Sequence, residues 1–249
     1  MNKQLTFLLS LTFLFLFSGS VYGDDFQDGM DAYKRKDYKE AFRLWKQLAE
    51  QGNVEAQYNL GVIYYHGQEV PQDYKEAVRW FRLSAEQGNA DAQTDLGSMY
   101  ANGTGVLQDY KEAVKWYRLA AEQGDALAHF NLGSMYHEGQ GVPQDYKEAV
   151  KWYRLSAEQG YAQAQKELGL LYFKGEGVLQ DYALAHMWFN ICAAGEKDDW
   201  KEDCMEARTR VQRKMTPQQI EKAQEMARNW KPKQERSLFE KFKENFGIK

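Results

Sequence analysis

Positive charge is not in excess in this chain: 32 lysines and arginines face 36 acidic residues, for a net of −4. A nucleic-acid binder would show clustered positive charge, so that class is set aside. Proline is scarce, at four in 249 residues, and cysteine is scarcer, at two. Cys192 and Cys204 lie 12 residues apart in one C-terminal segment. No histidine pattern near them makes a zinc site. A disulfide pinning two adjacent helices and a pair of buried free thiols both stay open, since geometry decides between them and sequence does not. Long apolar runs are missing too. The longest, Leu5 to Phe17, has 13 residues and is interrupted by Thr6, Ser10 and Thr12. A bilayer-spanning helix needs roughly 20.

That run reads as the core of a secretory signal peptide over residues 1–23. Lys3 precedes it, and the small, turn-prone stretch Ser18 to Gly23 follows, with cleavage expected after Gly23. The alternative is an uncleaved membrane anchor. No cysteine lies near the cleavage region, which argues against a lipid-anchored route. Removing the leader removes Lys3 and leaves a net charge of −5. The expected compartment is the periplasm or the medium, where disulfides persist.

What is abundant is aromatic residues, at 14%, and self-similarity. Asp37, Asp73, Asp109, Asp145 and Asp181 stand 36 residues apart, each followed by tyrosine. Such a period is the mark of a repeat architecture, and each unit reads as two helices. In the unit 109–144, Asp109 and Glu112 are spaced as a capping box. Ala113, Trp116, Tyr117, Ala120 and Ala121 then recur at helical spacing. Gly124 stops the first helix and Asp125 starts the second. Ala128, Leu132 and Tyr136 share one face of that second helix. Gly139 to Gln144 turns back to the next aspartate, with Gly141 and Pro143 as turn residues. Gly61, Gly97, Gly133 and Gly169 sit inside the second helices, at a propensity cost of roughly 1 kcal/mol each. A cost repeated at one register implies close approach by a neighbouring helix.

The run Asp109-Tyr110-Lys111-Glu112-Ala113, then Trp116-Tyr117, Ala121-Glu122-Gln123-Gly124, Ala128, Leu132-Gly133, Tyr136 and Gly139 to Val142 resembles Sel-1-like repeats, a tetratricopeptide-like family. The likeness covers 37–195, with residues 24–36 as a preceding half-unit helix. It implies an all-α fold, an α-solenoid in which antiparallel helix pairs wind into a right-handed superhelix. Glu69 departs from the pattern, standing where other units have Gly105, Gly141 and Gly177; if those glycines take positive φ, Glu69 is strained or its turn differs. Beyond 195 the repeat dissolves. Trp200 to Lys214 reads as a helix, and Thr216-Pro217-Gln218-Gln219 as a helix start. Residues 196–232 are expected to cap the stack. The tail, 233–249, is charged, with Leu238, Phe239, Phe242 and Phe246 on one helical side.

No catalytic constellation is present: no Gly-x-Ser-x-Gly elbow, His-Glu-x-x-His, phosphate loop or dinucleotide fingerprint. His66, His129, His137 and His186 read as surface or hydrogen-bonded histidines. Exported members of the resembled family include β-lactamase-like proteins, yet the Ser-x-x-Lys motif is absent and no histidine cluster supports a metal version. No cofactor and no metal is expected. The sequon Asn102-Gly103-Thr104 matters only in a glycosylating host.

Two stripes remain. On the first helices Arg43 and Lys46, Arg79 and Arg82, Lys115 and Arg118, and Lys151 and Arg154 form columns of positive charge. In tetratricopeptide-like stacks the first helices line the concave groove, so by resemblance these columns could grip an acidic or C-terminal-carboxylate peptide. A solvated face of exposed Arg–Glu pairs is the alternative, each pair worth at most about 1 kcal/mol. On the second helices the stripe opposite the core varies between units and carries Tyr58, Tyr65, Phe130, His137 and Phe173. Exposed aromatics are typical partner anchors, with drift on a solvent face as the alternative. The aromatic columns built from Tyr74, Trp80, Phe81 and their equivalents read as core. The expectation is therefore a monomeric, non-catalytic exported scaffold that binds a protein or peptide, with no nucleic acid and membrane contact only through the tail. The rivals are an exported hydrolase acting on β-lactams or cell-wall fragments, and an envelope protein docking by its Leu238–Phe246 face.

Overall fold

The computed structural model describes residues 25–195 and 200–233, so the leader and the apolar tail face lie outside the described residues. Twelve helices occur among the described residues: α1 (25–34), α2 (Tyr38–Glu50), α3 (Val54–His66), α4 (Tyr74–Glu86), α5 (Ala90–Asn102), α6 (Tyr110–Glu122), α7 (Ala126–Glu138), α8 (Tyr146–Glu158), α9 (Ala162–Lys174), α10 (Tyr182–Ala193), α11 (Lys201–Gln212) and α12 (Pro217–Asn229). They fall into two compact units, Met1–Gln108 and Asp109–Lys249. Cys192 and Cys204 are joined in a disulfide between α10 and α11, their Cα atoms 6.0 Å apart.

The repeating aspartates set the helix starts. Asp73, Asp109 and Asp145 each accept hydrogen bonds from the backbone N–H groups of the second and third helical residues, satisfying donors that a helix leaves orphaned. The expected capping box at Asp109 is only half made. Glu112 pairs forward with Lys115 at 3.4 Å, a charged partner one turn on. The second helices are capped by Asn53, Asn89 and Asp125; Tyr161 makes no side-chain cap on α9 and packs its ring on Phe130, 5.2 Å between centroids. Thr216 and Gln219 make a full reciprocal box on α12, with Pro217 in the first turn.

The cores are built from very small and very large residues in contact. Ala41, Ala77, Ala113 and Ala149 are completely buried, as are Leu60, Leu96, Leu132 and Leu168. The glycines inside the second helices are notches for rings. A Cβ built on Gly61 would lie 2.5 Å from the Phe81 ring, on Gly133 2.5 Å from Tyr153, and on Gly169 2.7 Å from Phe189. Real Cβ atoms do not approach that closely, so the propensity cost read from the sequence is offset by ring burial.

Recurring polar side chains tie the helices together. Gln57 donates to the Ala49 carbonyl, Gln93 to Ala85 and Gln165 to Ala157, at 3.0–3.2 Å. Ser84 donates to Val54 O and Ser156 to Ala126 O. Each bond satisfies a buried polar group, which would otherwise cost about 1–3 kcal/mol. At the C-terminal end, α11 and α12 pack against α10, where Trp188 meets Trp230 at 6.0 Å and Arg208 donates to Asn190 at 2.8 Å.

Candidate functional site

The basic columns of the first helices are largely committed to neighbours. Arg43 holds Glu40 at 2.6 Å and Arg79 holds Glu76 at 3.1 Å; Lys115 and Lys151 hold Glu112 and Glu148 at 3.4 and 3.3 Å. The hydrogen bond from Arg43 draws the Glu40 carboxyl below its ordinary pKa. Arg82, Arg118 and Arg154 each donate to a tyrosine hydroxyl on the following helix: Tyr100, Tyr136 and Tyr172, at 2.6–2.7 Å. Lys46 departs from this row and lies over the Phe42 ring, 5.9 Å from its centroid. Arg43, Lys46 and Phe42, with Glu69, border an open groove of about 680 Å³ along α2. The Glu69 backbone adopts the left-handed φ of +66°, beside +72°, +69° and +71° at Gly105, Gly141 and Gly177. The strain expected at Glu69 is therefore present.

The second-helix aromatics are less exposed than the sequence reading assumed. Tyr58, Phe130 and Phe173 are half-buried, because each packs on a ring of a first helix or of the turn before one. Tyr58 meets Phe81 at 5.7 Å, Phe130 meets Tyr153 at 5.6 Å, and Phe173 meets Tyr182 at 5.7 Å. His137 sits half-buried beside Tyr146 at 5.3 Å. Tyr65 alone among the five is exposed, at 37%, with an edge contact to Tyr74.

The histidines serve packing. His129 occupies the glutamine slot of the other units: its Nε2 lies 3.1 Å from Ala121 O, and its Nδ1 3.1 Å from Gln159 Nε2. This pairing selects the tautomer that donates from Nε2. His186 is fully buried, with Nε2 2.9 Å from Gln212 Nε2. Burial, reinforced by the Arg208 charge, lowers its pKa to about 4, while burial alone leads the lowering at His129. Among the described residues no cluster of three or more His, Cys, Asp or Glu could hold a metal ion. No helix among them is long and apolar enough to cross a membrane.

A feature the sequence reading missed lies between α3 and α5. A cavity of about 160 Å³ opens there, walled by Val62, Tyr65 and His66 from α3 and by Asp95, Ser98 and Met99 from α5, with Phe81 of α4 behind. Tyr58 hydrogen-bonds Asp95 beside it; burial, then Asp95, Asp91 and Glu55, push the Tyr58 pKa well above the ordinary phenol value. A signal was available: α3 and α5 contain no lysine or arginine, whereas α2 and α4 carry three each.

This architecture, helix pairs stacked at a 36-residue period, defines a tetratricopeptide-like helical repeat protein. The Sel1 repeat pattern matches residues 26–53, 54–89, 90–125, 126–161 and 162–194. The chain belongs to the Sel1 repeat family. It is similar to the crystal structure of a protective antigen of uropathogenic Escherichia coli strains displaying an SLR fold: 33% identity, TM-score 0.76, covering 84% of this chain and 45% of that one. The chain thus spans less than half of that protein. It is also similar to a Sel1 repeat protein from Oxalobacter formigenes, at 32% identity, TM-score 0.70 and 82% of each chain. No curated protein matches the sequence. The matched repeats start at the helix that the aspartate–tyrosine count places second.

Proposed function

We propose that this protein is an exported, non-catalytic scaffold that binds protein partners through the helices leading its family repeats. One observation carries the reading: polar side chains at recurring registers are consumed in the fold, while one register of the leading helices changes chemistry. Gln57, Ser84 and Arg82 and their equivalents bond helix to helix. The register of Tyr58 holds Thr94, Phe130 and Lys166 in the later repeats. A fixed frame with a varied face is what a recognition surface requires, and a rigid frame loses little ordering entropy on binding. The disulfide between Cys192 and Cys204 fits an oxidising compartment.

Crosslinking capture from the native envelope tests this. Wild type is compared with Arg79→Glu, Arg82→Glu, Arg118→Glu and Arg154→Glu combined, and with Tyr65→Ala. A partner captured by wild type and lost in one variant supports the scaffold and names the face. An identical set of captured proteins from all three speaks against it.

A further inference from the structure

At one of its helix ends the second compact unit holds a piece of its own chain. The backbone leaves α12 extended at Trp230 (φ −72°, ψ 139°) and comes to rest on the turn between α8 and α9. The Lys233 N–H donates to the Glu158 carbonyl at 2.7 Å, and the Lys233 ammonium meets the Glu158 carboxylate at 2.6 Å. Pro232 lies over Gly160, its Cβ 3.7 Å from where a glycine Cβ would stand. The physical reasons are general. The last carbonyls of a helix lack intrahelical donors, and the negative end of its dipole favours a cation. A glycine adds no side chain, so a proline ring can approach the backbone.

The sequence Glu158-Gln159-Gly160 recurs as Glu50-Gln51-Gly52 at the end of α2 in the first unit. Gly52 shares the backbone of Gly160, with φ +93° beside +96°, and nothing stands within 4 Å of its Cβ position. Glu50 and Gly52 are exposed, and Leu48, Gln51, Gly52 and Asn53 line an open depression of about 380 Å³. Among the described residues no hydrogen bond or ion pair engages the Glu50 carboxylate. Lys46, one turn back, lies over the Phe42 ring. The α6–α7 turn differs, because its Gly124 carbonyl accepts from Gln159, whereas Gln87 at that register donates to Gln57 Oε1.

The occupied turn thus specifies a guest for the open one. An acidic segment would meet both the Glu50 carboxylate and the negative helix end. Trp230 does not carry over: it packs on Trp188, while Trp80 at that register lies under the Arg79 guanidinium, 4.9 Å from the ring centroid. What remains is proline followed by lysine. Pro232-Lys233 is the one such pair in this chain and is already seated, so the guest comes from another protein.

We infer that the α2–α3 turn receives an extended Pro-Lys segment of a partner protein. Its lysine N–H bonds the Glu50 carbonyl, its ammonium pairs with the Glu50 carboxylate, and its proline covers Gly52. This surface is a helix end, separate from the varied register of the leading helices.

The test is a titration of the full chain with acetyl-Lys-Pro-Lys-amide, followed by amide chemical shifts, with acetyl-Lys-Pro-norleucine-amide as the control that lacks the ammonium. The expected result is saturable shifts at residues 48–54 and roughly threefold to fivefold weaker binding of the norleucine peptide, the scale of an exposed ion pair. Glu50→Gln should erase the preference for lysine. Gly52→Asn, whose new residue tolerates left-handed backbone, sets a side chain where the proline would lie and should abolish binding of both peptides. Equal affinity of wild type for the two peptides, shifts that survive Gly52→Asn, or no saturable shift at 48–54 would overturn the proposal. A dimer in sedimentation that Glu50→Gln dissolves would overturn it too, by assigning the turn to Pro232-Lys233 of a second copy. The scaffold reading fails separately, by an unchanged captured set in the crosslinking comparison.

Discussion

The two compact units use one 36-residue plan and differ in what they place at its variable positions. In the first, the slots that hold imidazoles further along the chain hold Gln57, Gln93, Phe42 and Val78, and the α3/α5 cleft is open and acidic. In the second, His129 and His186 are buried, Leu170 and Tyr153 supply bulk at the matching register, and a disulfide ties α10 to α11. Lys166 is drawn into the structure there, 2.7 Å from Asp203 and 4.4 Å from the Trp200 ring centroid. The same frame thus leaves its variable residues around an open cleft in one unit and spends them on internal contacts in the other.

Acid should break the comparison hardest. The His186 pKa is lowered to about 4 from an unfolded 6.5, so between these values the unfolded chain holds a proton that the native chain refuses. Stability from this residue is intact above about pH 6.5 and is lost as pH falls to about 4, by on the order of 3 kcal/mol. His129 acts in the same direction. Hydrogen exchange at pH 7 and at about pH 4.5 (near the lower end of that window) should show protection falling in α8–α10 more than in α3–α5. His186→Val, the residue at Val78, Val114 and Val150, should remove much of that difference. Equal acid loss in both units, unaltered by the substitution, would refute the assignment.

Removing the crosslink comes next. Cys192→Ser with Cys204→Ser frees a loop closed over 12 residues and should cost roughly 2–3 kcal/mol. Denaturant unfolding measures the loss, and exchange should place it in α10 and α11 with α3 to α5 unchanged. A loss shared by α3 would mean that the two units unfold as one.

The smallest effect sharpens the contrast at a single turn. Glu69→Gly relieves a left-handed residue at φ +66° and should stabilise by about 0.5–1 kcal/mol after the entropy cost of glycine. The reverse change in the second unit, Gly141→Glu, adds the strain and drives a Cβ into the Tyr110 carbonyl, so roughly 2 kcal/mol should be lost. Thermal melts of the two variants should move in opposite directions.

The helix pairs were legible because their signals are local. Asp73 caps the helix it precedes, Gly139 ends one with φ +72°, and Gly61 announces a ring that comes to rest on it. The fate of charged and aromatic side chains was not, because it depends on what another helix offers. Arg82 reads as a surface cation until Tyr100, 18 residues on, supplies an acceptor. Phe130 reads as exposed until Tyr161 takes the place of a capping residue and covers it. The cleft beside Asp95 was hidden for another reason: a cavity is a shortage of atoms, and no residue type spells one out.

The ring-in-notch joint gives the chain a manner of change. Phe81, Tyr153 and Phe189 enter glycine slots of one shape, so the coupling accepts either ring without retooling. Outward-facing residues can then be rewritten one helix at a time, with the fastening left alone. A lineage carrying such a coupling can explore new interlocutors at little risk to its own assembly.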